Sequence, residues 1–210
     1  MNMKKSKNSL YWYVRSLLSM IFRAFLGVKV HGKKWFPKTG RVILAVNHVS
    51  GYDPFIVGTF SPRELYFLAK EELFRFAPLG KLLKKLNAIP LQRKGGDRRA
   101  IQTAFHILNA DRPLLLFPEG TRSRNGKFQK AKSGVGMLAW RSGSNVLPVH
   151  LSGTFRLFSN LLRGRIRVTF GRPIEIDHFR SLKLPMKEVY QRISEEAMTR
   201  IKELEHAYYH

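Results

Sequence analysis

Apolar positions in the first stretch recur at helical spacing. At 100° per residue, Leu10, Val14, Leu17, Leu18, Ile21, Phe22 and Phe25 cover most of a helix over residues 10–26, while Arg15, Ser16, Ser19 and Arg23 fall on one narrow polar strip. An arc that wide needs burial against protein or lipid. From residue 28 the pattern changes to short apolar runs alternating with helical stretches, as an α/β sheet requires. Strands are predicted at 28–31, 41–46, 65–69, 89–91, 114–117 and 146–151, with 114–117 the most apolar and therefore central. Ile166, Val168 and Phe170 alternate with Arg165, Arg167 and Thr169, the signature of a half-exposed strand near an edge.

Between these strands the period is helical. Residues 71–86 form a helix interrupted around Pro78 and Gly80. Asp97 caps a helix to Asn109 that presents Ile101, Ala104, Phe105 and Leu108. Residues 132–141 make another helix, and Pro185 opens a last one with the stripe Val189, Ile193, Ala197, Ile201 and Leu204. The fold class is thus α/β: a single domain with a mixed β-sheet flanked by helices, residues 28–210, preceded by an amphipathic membrane-associating segment, residues 1–27.

The segment at 10–26 is shorter than the roughly 20 apolar residues of a bilayer span, and it contains two arginines. Lys4, Lys5 and Lys7 ahead of it suit anionic headgroups, and Tyr11, Trp12 and Tyr13 suit the membrane–water interface. A helix lying in that interface is expected, packing on its own domain being the other solution. The interior arginines and the lack of a small-residue cleavage site argue against a signal peptide.

Composition narrows the partners. The 210 residues, 44% hydrophobic, suffice for one core, and the absence of cysteine removes disulfides, thiolate metal sites and a cysteine nucleophile. With 38 Lys+Arg against 14 Asp+Glu the net charge is +24, which calls for a polyanionic partner: nucleic acid, anionic lipid or an acidic carrier protein. Nucleic acid is not expected, since no recognition helix, zinc spacing or stacking motif accompanies the charge. No metal site is expected either, because the histidines lack partners at ligand spacing.

Two polar blocks follow apolar runs, where strands end and α/β proteins place their chemistry. In Asn47-His48-Val49-Ser50-Gly51-Tyr52-Asp53, an imidazole that titrates near neutrality can serve as a base. Asp53 can hold its second ring nitrogen if Gly51 lets the chain turn. A nucleophilic Ser50 is the rival mechanism, but no G-x-S-x-G elbow surrounds it. The second block, Phe117-Pro118-Glu119-Gly120-Thr121-Arg122-Ser123-Arg124, offers a tight turn at Gly120 and arginine forks for a phosphate. Glu119 is a candidate acceptor for a substrate hydroxyl, or an orienting partner of Arg122. Arg93 and Lys132 add cations that can converge on the same place.

These blocks resemble the bacterial 1-acyl-sn-glycerol-3-phosphate acyltransferases, within the wider glycerolipid acyltransferase family. The family's Asn-His-x-x-x-x-Asp motif matches 47–53, and its Phe-Pro-Glu-Gly-Thr-Arg-Ser motif matches 117–123. Its Gly-x-Ile-x-x-x-Arg motif matches 87–93 with Asn87 in the glycine position, and its apolar-Pro-Val motif matches Leu147-Pro148-Val149. The resemblance spans about 28–173.

It implies that lysophosphatidic acid accepts an acyl group from acyl-ACP or acyl-CoA, giving phosphatidic acid for phospholipid synthesis without a cofactor. His48 and Asp53 would be catalytic. Arg93, Glu119, Gly120, Thr121, Arg122 and Lys132 would bind substrate, and an apolar groove would lead from His48 towards the membrane. The enzyme would sit peripherally or monotopically on the cytoplasmic face of the cell membrane. Glycerol-3-phosphate or another lysolipid as acceptor, or an inactive basic membrane-binding module, are the alternative readings.

Overall fold

The computed structural model describes residues 9–24, 27–91, 98–155 and 165–207. Seven strands build one sheet: β1 (Lys29–His31), β2 (Val42–Val46), β3 (Tyr66–Lys70), β4 (Ala88–Leu91), β5 (Pro113–Leu116), β6 (Asn145–Ser152) and β7 (Arg167–Phe170). Their spatial order is β1-β7-β6-β2-β5-β3-β4. The five strands from β6 to β4 run parallel, whereas β7 joins β6 antiparallel and carries β1 parallel to itself. The sheet is therefore mixed, as expected.

Every residue of β2 and β5 is buried, so helices must cover both faces. One face carries α1 (Ser9–Ala24), α2 (Asp53–Phe60) and α3 (Ala77–Lys85), through Phe22, Phe60 and Leu83. The other carries α4 (Arg98–Asn109), α5 (Gly134–Ser142) and α6 (Met186–His206), through Leu108, Leu138 and Ile193. β5 lies between β2 and β3, one strand from the middle, which is occupied by β2.

Two local expectations need revision, at 71–86 and at β7. The break in 71–86 falls earlier than Pro78: a 3₁₀ turn at Glu71–Phe74 ends before α3 starts at Ala77, and Pro78 sits in the first turn of α3, where its missing N–H costs nothing. Gly80 is needed for proximity, since a Cβ there would lie 2.5 Å from the Phe74 carbonyl oxygen. Asn87, in the glycine position of the matched motif, adopts φ 61°, the left-handed conformation that asparagine tolerates better than other non-glycine residues. β7 is not half-exposed: Val168, Thr169 and Phe170 are all buried, because β1 pairs outside it and Phe36 packs edge-on against Phe170. Asp97, the expected cap of α4, and Arg93 lie outside the described residues.

The first helix packs on its own domain along one side only. Its inner side is fastened to the domain: the Tyr11 hydroxyl accepts from the Leu65 amide at 3.0 Å, and Trp12 Nε1 donates to Glu64 at 3.1 Å. Phe22 meets Phe60 with ring centroids 6.3 Å apart. Its outer side leaves Tyr13 (70% exposed), Leu17 (44%) and Met20 (59%) in contact with solvent. Among the described residues no helix is long and apolar enough to cross a membrane.

The core also contains one buried imidazole with a testable consequence. His150 on β6 faces Thr169 across the β6–β7 pair, with the Phe128 ring 6.0 Å away. Burial first, then the charges of Arg167 and His206, hold its pKa down to about 4. The folded protein thus binds fewer protons than the unfolded chain between about 6.5 and about 4. The stability this neutral imidazole contributes is complete above the upper value, and it is lost as the pH falls towards the lower one. Between about pH 7 and about pH 4 the urea-unfolding free energy of wild type is expected to fall by about 3 kcal/mol more than that of His150→Asn. Parallel pH profiles for the two proteins would refute the assignment.

Candidate active site

The two polar blocks meet at the carboxyl edge of the parallel strands, and the meeting is enforced by main-chain bonds. Asn47, the first residue past β2, is buried and acts as a surrogate strand residue. Its Nδ2 donates to the Leu151 carbonyl at 2.9 Å, and its Oδ1 accepts from the Leu151 amide at 2.8 Å. This ties the end of β2 to β6 and fixes where His48 begins. The His48 amide then donates to Glu119 Oε1 at 2.8 Å, while its carbonyl accepts from the Ser123 amide at 2.8 Å. The second block thus grips the backbone of the first.

The imidazole itself is equally constrained. His48 stacks on Phe117 with centroids 3.7 Å apart and planes 13° from parallel. Its Nδ1 donates to Asp53 Oδ2 at 2.9 Å, so the tautomer leaves the Nε2 lone pair available. The same Asp53 oxygen accepts from the Val49 and Ser50 amides, each at 2.8 Å. Asp53 is fully buried in the first turn of α2, where this one oxygen gathers three donors. Ser50 Oγ accepts from the Tyr52 amide at 3.3 Å and makes no bond to His48 among the described residues, which removes support for the serine nucleophile.

His48 stands at one end of a cavity of about 1270 Å³. The polar end is lined by His48, Gly120, Thr121, Arg122 and Lys132, and the remainder chiefly by Phe55, Phe67, Leu73, Leu79, Leu83 and Leu91. Gly120, at φ 69°, lets the Lys132 side chain close over it, since a Cβ would lie 3.0 Å from Lys132 Cδ. Arg122 Nη1 reaches within 3.6 Å of the Cβ position of Gly51, which brings the guanidinium over the histidine loop. Neither Arg122 nor Lys132 is paired with a carboxylate among the described residues. A second groove, of about 1200 Å³, runs along α6, but its charged residues largely pair with each other, as Glu188 does with Arg192 and Glu196 with Arg200.

Four of the expected substrate residues therefore line one cavity: Gly120, Thr121, Arg122 and Lys132. Glu119 does not. It is buried, with Oε1 taken by the His48 amide and Oε2 by the Gln129 amide at 3.0 Å, so the expected contact with a substrate hydroxyl is replaced by two main-chain contacts. Arg93 lies outside the described residues, although β4 ends just before it at Leu91, on the cavity wall. Phe117 and Asn47 were missed as functional residues. Their only sequence signal was membership of the polar blocks, because their partners are distant in the chain.

A histidine oriented by a buried carboxylate, beside cations and apolar side chains that line the same cavity, has the parts that an α/β enzyme needs to activate a hydroxyl. Comparison with known proteins agrees. The profile of the family described as Acyltransferase matches residues 27–152, and the chain belongs to that family.

Its relatives include a 1-acyl-sn-glycerol-3-phosphate acyltransferase of Bacillus subtilis, 27% identical over 93% of this chain and 97% of that one. An enzyme of the same name from Streptococcus pneumoniae is 27% identical over 82% of this chain and 65% of its own length. The crystal structure of the 1-acyl-sn-glycerophosphate (LPA) acyltransferase PlsC from Thermotoga maritima superposes with a TM-score of 0.71 at 27% identity, over 99% of this chain and 86% of that one.

Proposed function

We propose that the chain transfers an acyl group from a thioester to the free hydroxyl of 1-acyl-glycerol-3-phosphate, giving phosphatidic acid. The observation that carries this reading is the His48–Asp53 pair at the junction of a cationic rim and an apolar cavity. The names of the Bacillus and Thermotoga relatives support it. Nε2 of His48 takes the proton of the acceptor hydroxyl as its oxygen attacks the thioester carbonyl. The C–O bond forms, the tetrahedral intermediate expels sulfur, and the imidazolium returns the proton to the departing thiolate. Asp53 stabilises the transient imidazolium and keeps the ring in place. The thioester is acyl-ACP or acyl-CoA.

The acceptor phosphate is held by Arg122 and Lys132, joined by Arg93, with Gly120 and Thr121 shaping the turn beneath it. Glu119 serves as a positioning residue that locks the cation-bearing loop to His48. The length of the apolar wall favours a lysolipid over glycerol-3-phosphate, which has no chain to fill it. Residues 1–27 would hold the 28–210 acyltransferase domain peripherally on the cytoplasmic face of the cell membrane, with the outer stripe of α1 in the anionic lipid interface.

An acceptor panel at fixed thioester tests the substrate assignment. Lysophosphatidic acid should be preferred over glycerol-3-phosphate, and preference for the latter would overturn the reading. Arg122→Ala is expected to raise the acceptor KM by about 10- to 100-fold with a smaller change in kcat, as loss of a charge-assisted phosphate contact dictates. An unchanged acceptor KM would remove Arg122 from the phosphate site.

A further inference from the structure

The segment 73–86 carries an apolar surface that the fold does not use. Phe76 is 67% exposed and Leu82 is 42% exposed, and Leu73 and Leu79 are also exposed. Leu79 and Leu82 are spaced three apart on one side of α3, with Phe76 at its N-cap three residues before Leu79, whereas Lys81, Lys84 and Lys85 fall on the other side. The whole of 73–86 contains four cations, Arg75 among them, and no acidic residue.

Two of the exposed residues, Leu73 and Leu79, also line the cavity that holds His48, so the apolar surface is continuous with the cavity wall. α3 lies on the same side of the sheet as α1: Leu83 and Phe22 contribute to one core cluster, and Leu86 shares a small cavity with Val14 and Leu18.

We propose that the face formed by Leu73, Phe76, Leu79 and Leu82 docks on an anionic bilayer and is the lip through which the acceptor's acyl chain slides from the membrane into the cavity. The inference rests on the acyltransferase reading and extends it, since it places a second membrane contact on the catalytic domain beyond α1. Charge selects lipid over a second copy of the chain. The cationic flank attracts phosphatidylglycerol headgroups and would repel its own image on a molecule of net charge +24. Lateral entry also keeps the chain out of water along its path from bilayer to cavity.

The absence of cysteine makes the test direct. Single variants of the full chain, Phe76→Cys and Leu82→Cys, are labelled with a polarity-sensitive fluorophore and mixed with phosphatidylglycerol vesicles. Blue-shifted emission at both positions is expected, with none at Glu203→Cys, on α6 across the sheet. A shift at Met20→Cys but not at 76 or 82 would show α1 to be the sole contact and would overturn the proposal.

As a second arm, Phe76→Ser combined with Leu82→Ser should lower vesicle partitioning by about tenfold. If instead the wild-type chain is a dimer, the double variant a monomer and partitioning unchanged, the face is a self-association surface and the proposal fails. Vesicle docking requires no turnover. A chain that docks through 76 and 82 but acylates nothing supports this face while contradicting the reaction, and an active enzyme that does not dock there does the reverse.

Discussion

Replacing His48 by alanine is expected to lower kcat by about 10²- to 10⁴-fold, the usual contribution of a positioned general base. The fold should survive, because the ring is a lid on Phe117 and the backbone bonds that fix the loop do not involve it. The acceptor KM should change little, since Arg122 and Lys132 remain. Asp53→Asn tests the same unit from behind. An amide there presents either an oxygen or an N–H to three donors converging on one carboxylate oxygen, so tautomer, loop and helix start are all disturbed. Both kcat and the urea midpoint should therefore fall for Asp53→Asn, but only kcat for His48→Ala. Near-wild-type turnover by His48→Ala would remove the base from the mechanism.

The second large effect is expected at Glu119, and it separates a positioning residue from a substrate contact. Its two oxygens hold the His48 and Gln129 amides. Glu119→Gln turns one of these acceptors into a donor facing a donor, and a buried unsatisfied N–H costs about 1–3 kcal/mol. The variant should lose about 2 kcal/mol or more of stability in urea without any substrate present, together with much of its kcat. A carboxylate whose work is to bind substrate would leave substrate-free stability unchanged and raise KM instead. Unaltered unfolding of Glu119→Gln would return Glu119 to the substrate site.

The main-chain contacts of Glu119 were hidden in the sequence by distance along the chain. Its acidity within a basic chain was visible, but its partner is the amide of His48, 71 residues away, and main-chain donors carry no residue identity in a sequence. The same applies to Asn47, which bonds Leu151 across 104 residues. The His48–Asp53 pair was legible because both ends lie within six consecutive residues and Gly51 allowed the turn. The strands were legible where burial on both faces produces unbroken apolar runs, as in β2 and β5.

Alternation misled in β7, because a polar Thr169 side chain does not reveal that β1 will cover the edge. The first helix was legible in outline only. Periodicity reported a wide apolar arc, but tertiary contacts decided which part of it meets Leu65 and Phe60 and which part is left outside.

The most direct test is a single incubation of the purified chain with 1-acyl-glycerol-3-phosphate and an acyl thioester, in which free thiol and phosphatidic acid are quantified in the same sample. Hydroxyl activation by His48 predicts that the two products appear in equal amounts and that both stop when the acceptor is omitted. Thiol released without acceptor, or thioester left intact while lysophosphatidic acid and the folded enzyme are both present, would contradict it.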